Sequence, residues 1–424
     1  MNERDFLRKL ASRTHVNPPR NLNGPGDANP VGEKISLAGK TFSEPVTLEN
    51  YVFNEHCDFS RCVFEKGLTI LGCVFRKGLR LTDTTVEKNL RIDNCELGVP
   101  PNGFQDWRRL KIYGVFSCTR LVAKCGVNLS DLYARYSVVM DYIDIDVTEC
   151  PYTANVARYE MQGVGLKFLG AVIEKSLFIR SDNDLRSKCI GQLDLRAKIQ
   201  DSVILGLKVD IRKIAGVEGR AVRLEDATIG GNVLLGAAVT DPRPVSMICY
   251  GAMDFQRVRI GGDLRFEAGF FDLSSNGIDQ VFVKGNCIDL LDVRVEKSIF
   301  FNYVVLENAA IPRLRRAICR GKIDLRAQIG GALQFEGTHI DVRKVPAAGG
   351  FAVNLTSAVI GQQVLFYCAS YENRKSRFRC YGQIDLRATV GNSVEFHGCL
   401  MDVRKTPGAS GLAVDLKGAP YARM

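Results

Sequence analysis

Three aspartates stand at equivalent points of successive repeats in the second half of this chain: Asp254, Asp289 and Asp324. Stacked carboxylates have two chemical uses. They can share a divalent cation through oxygen ligands, or divide the acid and base roles at a glycosidic bond. The full series is Asp194, Arg223, Asp254, Asp289, Asp324, Asn354, Asp385, Asp415, with Arg326 and Arg387 two residues beyond Asp324 and Asp385. Such neighbours neutralise like-charge repulsion on a strand surface. A solvated ladder is therefore the reading set against cation binding and catalysis.

A second set is basic. Alternate repeats carry Arg212-Lys213, Arg343-Lys344 and Arg404-Lys405 in an (I/V)RK motif. The repeats between them carry Arg313, Arg315, Arg316 and Arg320, then Arg374, Lys375, Arg377 and Arg379. Projected from one flank, these form a stripe for a polyanion, because arginine contacts phosphate or carboxylate through two parallel hydrogen bonds. The competing reading is charged loops that solvate a long stack and keep its edges unpaired. The formal charge of +10 permits a polyanionic partner without requiring one.

Other chemistry is weakly encoded. His15, His56, His339 and His397 do not cluster by spacing, and His397 with Cys399 supplies only two ligands where zinc takes four. The 14 cysteines include no CxxC pair, and several fall on repeat positions, which predicts reduced, buried packing residues. No serine or cysteine sits in a nucleophile elbow. The GxGxxG fingerprint is absent, so no cofactor is expected.

The elements that position these residues are short strands. Residues 191–210 read GQLDLRAKIQDSVILGLKVD, 321–341 read GKIDLRAQIGGALQFEGTHID, and 382–402 read GQIDLRATVGNSVEFHGCLMD. Each holds two strands of period two, such as Ile323-Asp-Leu325 and Leu333-Gln-Phe335, joined by a corner. A fixed-period repeat of such units predicts a β-solenoid. First inward residues fall at Leu193, Val222, Met253, Ile288, Ile323, Val353, Ile384 and Val414, with a third, variable side completing each coil. Gly230-Gly231, Gly261-Gly262 and Gly330-Gly331 are placed at corners that turn with positive φ. Cys189, Cys249, Cys319 and Cys380 mark every other coil, so the structural unit is a pair of coils.

In chain order, residues 1–40 predict a mobile arm, since NPPRNLNGPGDANPVGEK buries almost nothing. Residues 41–97 repeat every eleven residues: Leu48, Phe59, Ile70, Leu81, Ile92 in one phase, Phe53, Phe64, Phe75, Val86, Leu97 in another, and Cys62, Cys73, Thr84, Cys95 in a third. Residues 98–165 lose this pattern after Pro100-Pro101 and predict irregular coils with bulging insertions, among them DYIDIDVTECPYTANVARYEMQG. Residues 166–424 form the coils of about 30 residues.

The segment CDFSRCVFEKGLTILGCVFRKGLRL resembles the eleven-residue variant of the pentapeptide-repeat proteins. That resemblance implies a right-handed parallel β-helix; the strict A-(D/N)-L-x-x spacing is not kept, so no family function follows from it. The later coils resemble bacterial proteins built from IGGDLxL repeats, some of which carry an oxidoreductase label.

These readings predict an all-β, right-handed parallel β-helix of about 10–12 coils. The expected role is a non-enzymatic scaffold or interaction module whose partner is another protein or a polyanion: nucleic acid, anionic glycan or lipid headgroup. The alternatives are a β-helix enzyme acting on polysaccharide and an effector exported uncleaved. No apolar run approaches the ~20 residues of a spanning helix, and the start lacks a signal-peptide core, which predicts a cytoplasmic protein. Apolar ladder residues Val414 and Leu416 at the last coil predict a homodimer through that end.

Overall fold

The computed structural model describes residues 29–31, 35–148, 150, 161–181, 187–236, 247–275, 278–302, 304–306, 313–315, 317–371 and 374–416. Four strands make one coil. In the coil at 322–341 they are Lys322–Asp324 on face 1, Gln328–Ile329 on face 2, Leu333–Glu336 on face 3 and His339–Asp341 on face 4. Each pairs in parallel with its counterparts in adjacent coils. Faces 2 and 3 are 13-stranded sheets, face 4 is 14-stranded, and face 1 is a 3-stranded sheet followed by an 11-stranded one. The result is a right-handed parallel β-helix with 13 full coils among the described residues. A coil therefore has four sides, not two strands and a variable third, and the stack is longer than expected.

The register of the long coils follows the sequence pattern. Leu193, Val222, Met253, Ile288, Ile323, Val353, Ile384 and Val414 pair successively along face 1. In the earlier part, the eleven-residue phases are split between faces, because one coil takes 22 residues. Leu48, Ile70 and Ile92 share face 3, whereas Phe53 and Phe75 share face 4 and Phe64 and Val86 share face 2.

Two expected boundaries move. Asn29–Val31 pairs with Tyr51–Phe53, and Ile35–Ser36 with Cys57–Asp58, so the stack begins inside the stretch read as an arm. Residues 1–28 lie outside the described residues. The stretch from 98 is also regular: strands from Phe104–Asp106 to Asp144–Asp146 join the same faces. Pro100-Pro101 forms a turn closed by Gly103 N–H donating to Pro100 O at 2.9 Å. Trp107, fully buried, donates Nε1–H to Leu79 O at 2.9 Å. The polar DYIDID segment belongs to the stack because its inward Ile145 is buried between charged outward neighbours. Residues 151–160 lie outside the described residues.

From residue 187 the coils alternate in where they spend extra chain. One kind has a long passage from face 4 to face 1, as at 211–219, 273–285 and 342–350. The other turns that corner on one glycine: Gly191, Gly251, Gly321 or Gly382, with φ between 135° and 150°. Two coils of this second kind extend the face 3 to face 4 corner into antiparallel hairpins, Val304–Leu306 with Arg313–Arg315 and Ala369–Tyr371 with Arg374–Ser376. The two-coil unit marked by the cysteines is thus a real alternation of corners.

The IGG glycines serve another purpose than expected. None of Gly230, Gly231, Gly261, Gly262, Gly330 or Gly331 has positive φ. A Cβ at Gly261 would instead overlap the carbonyl oxygen of Gly230 in the coil before, and one at Gly330 that of Glu296. Glycine is needed there so that corner backbones can stack directly.

Inward ladders form the core. Phe266, Phe301, Phe335, Phe366 and Phe396 stack with ring centroids 4.5–4.9 Å apart. Ring spacing matches coil spacing, so each coil adds an aromatic contact to its area burial. The described cysteines are free; all but Cys368 and Cys399 are buried, and burial raises the Cys73 and Cys95 thiols to about 12.

Candidate functional site

The aspartate ladder is in the predicted register, running Asp194, Arg223, Asp254, Asp289, Asp324, Asn354, Asp385, Asp415. Its solvation is not as expected. Asp194, Asp254, Asp324 and Asp385 are all buried. Three of the four carry a local clamp: in the Asp-Leu-Arg sequence the arginine folds back over the carboxylate two residues earlier. Arg196 grips Asp194 at 2.8 and 2.6 Å, Arg326 grips Asp324 at 2.8 and 2.7 Å, and Arg387 grips Asp385 at 2.9 and 2.5 Å. Burial would raise the Asp385 carboxyl, but hydrogen bonds from Arg387 and Thr356 hold it below the usual range.

Asp254 and Asp289 lack this clamp, because Gln256 and Leu291 stand where the arginine would be. Asp254 accepts from Gln256 N–H at 3.0 Å, and Arg220 Nε lies 3.1 Å from its Oδ2. Asp289 accepts from Leu291 N–H at 3.1 Å and from the Gln256 and Asn286 side-chain amides, each at 2.9 Å. Among the described residues no group of three or more His, Cys, Asp or Glu side chains is arranged to hold a metal ion. The carboxylates of Asp254, Asp289 and Asp324 each face cationic or amide donors in this arrangement.

The basic residues divide into engaged and free. Arg212 grips Asp210 at 2.9 and 2.6 Å and lies 3.7 Å over the Tyr250 ring of the next coil. Arg343 repeats this with Asp341 (2.9 and 2.7 Å) and Tyr381 (3.8 Å), and Arg404 grips Asp402 at 3.0 and 2.9 Å. These arginines are committed to the fold. Lys213, Lys344 and Lys405, one residue on, are exposed. The side chains of Arg313, Arg315, Arg316, Arg374 and Lys375 lie outside the described set. Arg377 is exposed and Arg379 half-buried on the way into face 4.

One coil breaks the stripe. Where the others read Asp-(Ile/Val)-Arg-Lys, this one reads Asp272-Leu-Ser274-Ser275. Asp272 accepts from both serine hydroxyls, at 2.7 and 2.8 Å, and Arg320 of the following coil reaches it at only 3.4 Å. The two short side chains leave a notch of about 250 Å³, lined by Ser274, Arg320, Asp341, Arg343 and Lys344. The structure thus brings Arg320, Arg343 and Lys344 together. The DLSS departure is the sequence signal that would have located the notch.

His397 pairs with Glu395 at 2.9 Å, while Cys399 donates to Phe366 O at 3.1 Å, so they do not act together. His56 Nδ1 lies 2.9 Å from Lys77 O, and His339 packs against Tyr381 at 5.5 Å. Among the described residues no helix is long and apolar enough to cross a membrane. Comparison with family models, curated proteins and solved structures finds no match for this chain.

Proposed function

We propose that the protein is a non-enzymatic solenoid scaffold that holds a polyanionic partner along the flank of Lys213, Arg320, Lys344 and Lys405. The observation that supports this reading is the notch of about 250 Å³, where Arg320 and Lys344 flank the Asp341–Arg343 pair in one concavity. Equivalent positions on alternate coils are about 9–10 Å apart, twice the strand spacing, which a flexible polyanion can follow. The partner is a nucleic acid strand, an anionic glycan or an anionic lipid surface, read through charge spacing rather than sequence.

Retention of heparin and of single-stranded DNA at low and moderate salt tests the proposal. Binding should fall steeply with salt, as counterion release requires. Arg320→Glu with Lys344→Glu should remove most of it, as should charge reversal at Arg315, Arg316, Arg377 and Arg379; reversing Arg212 or Arg404 alone should only weaken it. Undiminished binding by both multiple variants, or none at low ionic strength, would reduce the stripe to solvation.

A further inference from the structure

Independently of the basic flank, face 1 carries a second concavity with a different chemistry. It lies over the two unclamped aspartates, beneath the turn at 279–285 in the long passage from face 4 to face 1. The turn is built: Asp279 Oδ1 accepts from Val281 and Phe282 N–H at 3.1 and 3.0 Å, and Gly285 N–H donates to Gln280 O at 2.9 Å. The cleft has a volume of about 300 Å³, within the range of small-molecule sites. Asp254, Gln256, Asn286 and Asp289 line it together with Arg220, Lys284, Arg326 and the rim residue Phe282.

The lining asks for hydrogen-bond donors. Asn286 Oδ1 is buried without a partner, while its amide nitrogen is spent on Asp289. Asp254 Oδ2 is also buried without an aligned hydrogen bond, although Arg220 touches it at 3.1 Å. Both residues are only 2 % exposed. Leaving such acceptors unmade is destabilising, and burial together with the Asp289 charge raises the Asp254 carboxyl.

Charge then selects the donor. Arg326 is taken by Asp324, but Arg220 and Lys284 stand against the two carboxylates, so no surplus negative charge is left to hold a divalent cation. An anion would meet the two unpaired acceptors. A hydroxyl group fits both kinds of lining, since it donates to the acceptors and accepts from the cations. Phe282, 45 % exposed with the Arg220 guanidinium 5.0 Å from its ring centre, supplies an apolar surface at the rim.

We propose that this cleft binds a polyhydroxylated ligand, a neutral saccharide, whose hydroxyls complete Asn286 Oδ1 and Asp254 Oδ2 and whose C–H face rests on Phe282. The clamped coils supply a variant that should fold. Gln256→Arg recreates at Asp254 the arrangement of Arg196 on Asp194 and Arg326 on Asp324, filling the site with a guanidinium. Saturation-transfer difference NMR on the full chain, with glucose, galactose, mannose, N-acetylglucosamine, maltose and cellobiose up to about 10 mM, reads binding. At least one sugar should bind. Its affinity should fall by about tenfold or more in Gln256→Arg and in Phe282→Ala, with thermal midpoints retained. Phe282→Ala keeps the test open if the arginine variant misfolds, because Phe282 is exposed. No binding by any of these sugars overturns the proposal, as does equal binding by both variants. Calcium or magnesium binding by calorimetry that is lost in Asp254→Asn, with no sugar bound, overturns it in favour of a cation site.

Discussion

Glu267 offers a quantitative test of the outer surface of face 3. It ends the strand Leu264–Glu267, in register with Asn302 of the next coil. It is 2 % exposed, its Oε2 has no hydrogen-bond partner, and Arg265 reaches only to 3.8 Å. Burial raises its carboxyl from 4.5 to about 7, with Arg265 opposing. The native state therefore holds an extra proton between these two values, and stability falls as pH rises through that window. At 1.36 kcal/mol per unit, the charged form costs at most about 3 kcal/mol above pH 7 and almost nothing near pH 4.5. Glu267→Gln removes the charge and presents an amide donor toward Asn302 Oδ1, itself unpartnered. Since a solenoid opens locally, the apt measurement is hydrogen exchange at 264–267 and 299–302. Protection in the variant relative to wild type should rise by up to about 300-fold at pH 8 and stay near unity at pH 4. A ratio independent of pH, or a variant less protected at pH 8, would refute the reasoning.

Leu325 is fully buried, so Leu325→Asp should unfold its own and adjacent coils at a cost of several kcal/mol; an unchanged thermal midpoint would place it outward. Gly321 has φ 148°, and a Cβ there would sit 2.8 Å from Cys287 Cβ, so Gly321→Ala should cost about 2–5 kcal/mol. Gly39→Ala, with open space around it, should cost about 1 kcal/mol or less by the same melting comparison. Burial favours the neutral acids of Asp210 and Asp341, but arginine hydrogen bonds hold both below 3.8. Their contribution is present above that value and lost as pH falls below it; acid titration followed by circular dichroism should show a loss there that Asp341→Asn diminishes. Val394, Phe396, Leu400 and Leu412 of the last coil are exposed, and light scattering at tens of micromolar should show a dimer that Phe396→Lys with Leu400→Lys returns to monomer.

What the sequence by itself determined is the register. Alternation with period two assigns each strand residue to the core or the outer surface, and repetition aligns Leu193 through Val414 and Asp194 through Asp415 without any contact being known. The pairing of coils was legible in the same way, from Cys189, Cys249, Cys319 and Cys380 at every other inward position of face 4. Four features needed the tertiary structure. The number of sides was hidden because two eleven-residue units make one early coil, so a single phase such as Phe53, Phe64, Phe75 serves two faces. The clamping of Asp194, Asp324 and Asp385 depends on arginines folding back in space, which a strand pattern does not express. The stacking of Arg212 on Tyr250 and Arg343 on Tyr381 joins residues almost forty positions apart, brought together by the rise of one coil. The two concavities lie where a long corner passage covers a face or short side chains interrupt a ladder. Passage paths have no period, so their contacts exist only once the coils are stacked.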